Sequence, residues 1–138
     1  MREIKFRAWD KKGKKMYEVE AISWLWKYID VIVGYNKNNY PKIKGMPIED
    51  MELIQFTGLL DKNGKEIYEG DIVEFFDDMD VLRKEPVTFE NGSFGFIIGW
   101  EQEEFLGFNN EWLNLDELEV IGNIYENPEL LEGVRKNG

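Results

Sequence analysis

The chain has no cysteine and no histidine among its 138 residues. Without them there is no Ser-His or Cys-His pair to activate a nucleophile, and no thiolate or imidazole to hold zinc or haem. Disulfides are excluded too, which fits a reducing compartment. Serine is scarce: Ser23 and Ser93 are the two present, and neither lies in a Gly-x-Ser-x-Gly elbow. No Gly-x-x-x-x-Gly-Lys-Ser/Thr loop occurs, so a phosphate-cradling nucleotide site has no support. No apolar run reaches the roughly 18 residues a membrane-spanning helix needs. Met1 to Lys5 leads into an alternating pattern and not an apolar export signal, so the cytoplasm is the expected compartment.

What remains for chemistry is carboxylate. Glu74, Asp77, Asp78 and Asp80 form the densest acidic group, and hard cations do take oxygen ligands. Four acidic residues on a loop are more often simply solvated. Neither a metal nor an organic cofactor is therefore expected, and exchanging Asp77, Asp78 and Asp80 for Asn should leave folding unchanged. Asp61-Lys62-Asn63-Gly64 is a turn and not a calcium loop, because its glycine arrives two positions early.

The net charge of −11 is unevenly spread. Residues 1–44 hold 11 of the 17 Lys and Arg but only 5 of the 28 Asp and Glu. A basic segment followed by an acidic one suggests that the two attract, within one copy or between copies. With 14% aromatic and 43% hydrophobic residues, the chain can build a core.

Periodicity points to short strands. Ile4, Phe6 and Ala8 alternate with Lys5, Arg7 and Trp9, and Asp10 to Lys14 reads as a turn into a returning strand, Lys15 to Ala21. Ile22 to Val33 is aromatic and β-branched, so it reads as strand, with Trp24, Trp26 and Tyr28 on one face. Gly34 to Pro47 reads as a loop or hairpin tip. Met51 to Phe56 is a strand. Asn63-Gly64 and Asn91-Gly92 supply type I′ hairpin turns. Gly70-Asp71 breaks the chain before Ile72 to Phe76. Asp77 to Glu85 reads as a charged loop, Gly99 to Asn110 as a mobile one, and Leu115 to Leu118 as one helical turn. Val120 to Tyr125 closes the sheet. Asn127-Pro128 reads as an N-cap followed by proline at the first helical position, so a short helix through Leu131 follows. Gly58, Gly64 and Gly70 read as turn residues, Phe56, Ile67, Tyr68, Ile72 and Val73 as core, and Asp71 as a turn cap. The expected division is a basic hairpin and aromatic strand region over 1–44, an acidic β-barrel domain over 45–132, and a frayed tail over 133–138, together one compact unit.

Three segments carry a further signal: Arg2-Glu3-Ile4-Lys5-Phe6-Arg7-Ala8-Trp9-Asp10, the block from Gln55 to Val73, and Glu119 to Leu130. Together they resemble the YopX family of bacteriophage and prophage proteins. The resemblance implies a mainly β fold, an SH3-like small barrel or roll, to which the residues add the N-terminal hairpin and the short C-terminal helix read above. It implies no catalytic residues. The expected protein is a non-catalytic, cytoplasmic interaction module of a phage or prophage. Its expected surface is Trp24, Trp26 and Tyr28 with Lys11, Lys12, Lys14 and Lys15. That surface would serve self-association, with a dimer as the expected form, or a host or phage protein. Aromatics beside lysines also stack on bases, which makes nucleic-acid binding the alternative. The strong net acidity opposes it.

Overall fold

The computed structural model describes residues 3–98, 102–111 and 113–132. The frayed tail expected over 133–138 lies outside the described residues. The chain is mainly β, built from antiparallel pairs, and it divides into two compact units, Met1–Phe56 and Thr57–Gly138. The division falls within one strand, Met51–Leu60. A boundary at 44/45 would cut the strand Pro41–Pro47.

The first unit holds β1 (Phe6–Asp10), β2 (Lys15–Ser23), β3 (Tyr28–Tyr35), β4 (Pro41–Pro47) and the start of β5 (Met51–Leu60), in spatial order β4-β3-β2-β1-β5. β1 to β4 form a meander, and β5 returns to pair with β1, Asp10 opposite Met51. Between β4 and β5 lies one 3-10 turn, Ile48–Asp50. That connection has a geometric consequence. A flat sheet would hold β4 and β5 about 19 Å apart, four strand spacings. The three residues joining them rise only about 6 Å as a 3-10 turn. The sheet must therefore curl strongly, and an irregularity in β2 between Val19 and Ala21 eases the bend. Ala8, Ile29, Val31 and Met51 are buried inside the curl, with Ile48 packed against them.

The expected strand over Ile22 to Val33 is corrected. Trp24 to Lys27 form a turn between β2 and β3. Ser23 Oγ accepts from the Trp26 N–H at 3.1 Å, and Lys27 adopts φ +59°. Aromatic residues gave a strong strand signal, but a hydroxyl acceptor and one left-handed residue turn the chain.

The second unit carries the end of β5 beside β6 (Glu66–Tyr68), then β7 (Asp71–Phe76) between β8 (Leu82–Pro86) and β12 (Glu119–Asn123), and a meander of β9 (Thr88–Glu90), β10 (Ser93–Ile98) and β11 (Glu104–Gly107). Its core is Ile67, Val73, Phe75, Val87, Phe96, Phe108, Leu113, Leu118 and Val120. Among the described residues no sheet closes on itself into a barrel. Phe56, Ile67, Tyr68, Ile72 and Val73 are buried. Gly58, Gly64 and Gly70 take φ of +89°, +81° and +84°, though Gly58 lies within β5 and not in a turn, and the buried Asp71 carboxylate accepts from the Tyr68 N–H at 2.8 Å.

Both Asn-Gly pairs sit at hairpin tips, but their turns differ. Asn91 and Gly92 both take positive φ, +51° and +81°, between the paired residues Glu90 and Ser93, which is type I′. In the other, Gly64 N–H bonds to the Asp61 carbonyl, and only Gly64 has positive φ. This is a turn followed by a left-handed glycine, not type I′, because Asp61 and not Asn63 controls its shape. Leu115–Glu117 makes the expected helical turn, as a 3-10 turn. The C-terminal element is also a 3-10 turn, Pro128–Leu131, with no capping bond from the Asn127 side chain. Asn127 Oδ1 instead accepts from the Asn123 N–H at 3.2 Å.

Three loops are shorter than their sequences suggest. Pro41–Pro47, expected within a loop or hairpin tip over 34–47, is β4, paired with β3. Half of the charged segment 77–85 is β8, drawn into the sheet by β7, and Glu104–Gly107 is β11, paired with β10. Asp77 is not a solvated carboxylate. Its Oδ1 accepts from the Met79 and Val81 N–H groups at 2.9 Å each, and its Oδ2 accepts from Arg83 Nε at 2.7 Å. Burial alone would raise its pKa, but these bonds and the Arg83 charge together hold it below the usual value. The triple exchange is therefore not neutral. Asp77→Asn should lose about 1.5–3 kcal/mol in urea unfolding, because its amide would face Arg83 with a donor. Asp78→Asn and Asp80→Asn should stay within about 0.5 kcal/mol of wild type.

Candidate interaction surface

The candidate residues lie on two turns of the first unit. Lys11, Lys12, Lys14 and Lys15 belong to the β1–β2 turn. Asp10 builds that turn from below. Its buried carboxylate accepts from the Lys12 and Gly13 N–H groups at 3.1 and 3.0 Å, while its carbonyl takes the Lys14 N–H. A side chain at position 13 would collide with this carboxylate, Oδ2 lying 2.5 Å from where a Cβ would sit. With its acceptors turned inward, the loop sends its lysines outward, and all four are exposed. Lys12 Nζ pairs with Asp50 at 3.2 Å, and Lys15 Nζ lies 5.3 Å from the centre of the Tyr17 ring. Among the described residues Lys11 and Lys14 have no carboxylate partner.

Trp24 and Trp26 stand on the β2–β3 turn with Leu25 between them, 61%, 74% and 78% exposed. Tyr28 opens β3 and is less exposed, at 39%. Turn tips are ordinarily polar, because Gly, Asn, Asp and Ser best satisfy a tight bend. Three consecutive large apolar side chains at a tip gain nothing from folding. The sequence places Trp24, Trp26 and Tyr28 on one sheet face. The structure instead puts the two tryptophans on a projecting tip, with Tyr28 at its base.

Along an extended strand the two turns would be roughly 26 Å apart, since β2 runs nine residues between them. The 3-10 turn joins them instead. Ile48 N–H donates to the Lys27 carbonyl at 2.9 Å, and Lys11 N–H donates to the Asp50 carbonyl at 3.1 Å. Two residues that are two apart in the chain therefore grip both turns. The curl of the sheet brings the lysine turn and the tryptophan turn to one end of the unit. Lys27 and Leu25 join this surface, and neither was singled out by pattern. The only sequence signal for them is Ser23, a turn-forming residue inside an aromatic run.

A second feature lies wholly in the other unit. A groove of about 340 Å³ opens beside the β7–β8 turn, with Phe75, Ile98, Leu106 and Leu113 in its lining and Asp78 and Glu104 among its polar groups. Phe76 and Met79 are 58% and 79% exposed nearby in sequence. Among the described residues no group of three or more carboxylates could hold a metal ion, and no helix is long and apolar enough to cross a membrane.

The family model described as YopX protein matches residues 5–132. A prophage-derived relative from Bacillus subtilis strain 168, the SPbeta uncharacterized protein YopX, is 26% identical in an alignment 148 positions long, gaps included, covering 94% of this chain and 97% of the relative. Among solved structures, protein EF1440 from Enterococcus faecalis is 30% identical, with a TM-score of 0.62, covering 96% of this chain and all of that one. The crystal structure of yopX from Bacillus subtilis gives the same TM-score and the same coverage of both chains at 22% identity, a likeness of fold alone.

Proposed function

We propose that the chain, which belongs to the YopX family, is a non-catalytic interaction protein that binds other proteins through the Trp24-Leu25-Trp26 end of its first unit. The observation that carries this reading is the exposed apolar tip. Patches of that kind on a soluble surface mark binding sites, and tryptophan is the residue most enriched where binding energy concentrates. Surrounding lysines give an acidic partner a preferred approach. The prophage origin of the Bacillus relative supports a phage or prophage setting, with the bacterial cytoplasm as the compartment and a second copy, a phage protein or a host protein as partner. A four-strand meander, one 3-10 turn and a fifth strand returning to β1 support an SH3-like roll in the first unit, not in the acidic portion where the sequence pattern suggests it. Nucleic-acid binding is the second reading. It rests on the convergence of Lys11, Lys12, Lys14, Lys15 and Lys27 with two tryptophans.

A photo-crosslinking residue in place of Leu25, in cells producing the protein, tests this. The expected result is a discrete protein adduct that disappears when Trp24→Ser and Trp26→Ser are added. The same probe at Asn38, on the polar β3–β4 turn, should give none. Absence of any protein adduct from position 25 would overturn the reading, and salt-sensitive retention on DNA or RNA would replace it with the second one.

A further inference from the structure

We infer that the tryptophan tip of one copy docks into the groove beside the β7–β8 turn of a second copy, in a reciprocal dimer. This deepens the interaction reading above and rests on it. Three observations on separate parts of the chain agree.

The first is charge. Residues 1–56 carry 11 Lys and Arg against 8 Asp and Glu, whereas residues 57–138 carry 6 against 20. Two copies therefore repel as wholes, but the basic end of the first unit is attracted to the second unit of another copy. Attraction of that kind orients a contact and penalises the wrong ones, tip against tip and groove against groove.

The second is shape and chemistry. A cavity of about 150 Å³ lined by aliphatic and aromatic groups is enough for benzene. The groove, at about 340 Å³, has room for a two-ring indole and part of a neighbouring side chain. It is too small for an extended polymer. Ile98, Leu106 and Leu113 give it an apolar lining, and Asp78 and Glu104 place carboxylates beside it. Lys27 immediately follows Trp26, while Lys11 and Lys14 stand on the adjoining turn. An inserted indole would thus bring ammonium groups to carboxylates. A nucleic acid would meet those same carboxylates as repulsion.

The third is that both partners in the contact lie open. The tip is exposed, and so are Phe76, Met79, Asp78 and Glu104. The segment Phe76-Asp77-Asp78-Met79-Asp80-Val81-Leu82 combines acidic and apolar groups, as Lys11 to Lys15 and Trp24 to Lys27 combine basic and apolar ones. Unlike surfaces meeting twice about a two-fold axis give a closed dimer.

Sedimentation equilibrium of the full chain decides the matter. Wild type should associate at low micromolar concentration in about 50 mM salt, and weaken as salt rises to about 300 mM, where the Debye length has more than halved. The tip variant Trp24→Ser/Trp26→Ser and the groove variant Asp78→Lys/Glu104→Lys should each weaken association at least about thirtyfold. Mixed together, the two variants should form a one-to-one complex, since the first retains a groove and the second a tip. Leu25→Glu replaces the tip variant if that proves unfolded by circular dichroism. A monomeric wild type at about 200 µM, well above the affinity expected of a working interface, would overturn the inference. So would a groove variant that associates like wild type, or folded variants that fail to complement. Wild type that is monomeric yet crosslinks to another protein from position 25 removes the dimer and leaves the interaction reading standing. Wild type that dimerises unaffected by the tip variant removes this docking, and the interaction reading then stands or falls on the crosslink from position 25.

Discussion

Phe96→Ala should cost about 3–5 kcal/mol, the largest loss of any single truncation in the second unit. Phe96 has no exposed surface. Its ring lies 4.7 Å from that of Phe75, nearly parallel, and 5.1 Å from that of Phe108, edge-on. Truncation removes the apolar area of a whole ring and also both aromatic contacts, each worth about 0.5–1.5 kcal/mol beyond area. β10 and β7 are positioned by pairing in separate sheets, so the cavity has rigid walls and little means of collapse. With a urea slope of about 2 kcal/mol/M the unfolding midpoint should fall by about 2 M. Phe96→Leu, which keeps most of the volume, should lose less than half as much. Equal losses for the two variants would mean that the stacked rings are not the centre of this core.

Asp61→Asn should cost about 2–3 kcal/mol at neutral pH, and the loss should fade in acid. The Asp61 side chain is buried at the end of β5. Oδ1 accepts from the Asn63 and Lys65 N–H groups at 2.8 and 2.9 Å, shaping the turn. Oδ2 accepts from the Val120 N–H at 3.0 Å, 59 residues away, and ties the turn to β12. Burial is the largest influence on its pKa and would raise it. The backbone bonds from Val120, Lys65 and Asn63, with the Lys65 charge, together outweigh burial and leave the pKa below 3.8. The folded pKa is thus depressed. Its stabilisation is complete above the unfolded value and is lost as pH falls through the folded one, from about pH 5 downward. An amide can serve only one oxygen-accepting side, so Asn would turn an N–H₂ toward Val120. Urea midpoints of wild type and variant should therefore differ more at pH 7 than at pH 3. A difference unchanged between the two would show that shape, not charge, is what Asp61 supplies.

The hairpin tips were legible because their chemistry is local. Asn91-Gly92 needs only two residues at positive φ, and Gly70-Asp71 carries its own acceptor for Tyr68. The buried members of the central block were legible because period-two alternation survives wherever one face of a strand is covered. β8 and β11 were not. Leu82-Arg83-Lys84-Glu85-Pro86 has no strand propensity worth the name, and it becomes strand because β7 offers an unpaired edge. Glu104 to Gly107 does so because β10 offers another. Asp77 reads as one more surface carboxylate until its partner Arg83 is placed beside it.

The candidate surface divides the same way. Its residues could be named from composition, but their arrangement could not. Trp24 to Tyr28 carries three strand-favouring aromatics, yet it turns through one serine hydroxyl and one lysine in the left-handed region. The meeting of the lysine and tryptophan turns depends on Ile48–Asp50 reaching both, which follows from the curl of five strands and from no local pattern.

If Trp24 and Trp26 exist for a partner and not for the fold, removing both should leave the fold intact. Urea unfolding of Trp24→Ser/Trp26→Ser, followed by circular dichroism, measures this directly. The account predicts a midpoint within about 0.5 kcal/mol of wild type, as for exposed positions without structural partners. A loss of about 3 kcal/mol or more, the cost of deleting a buried aromatic, would place those indoles in the protein's own core and contradict it.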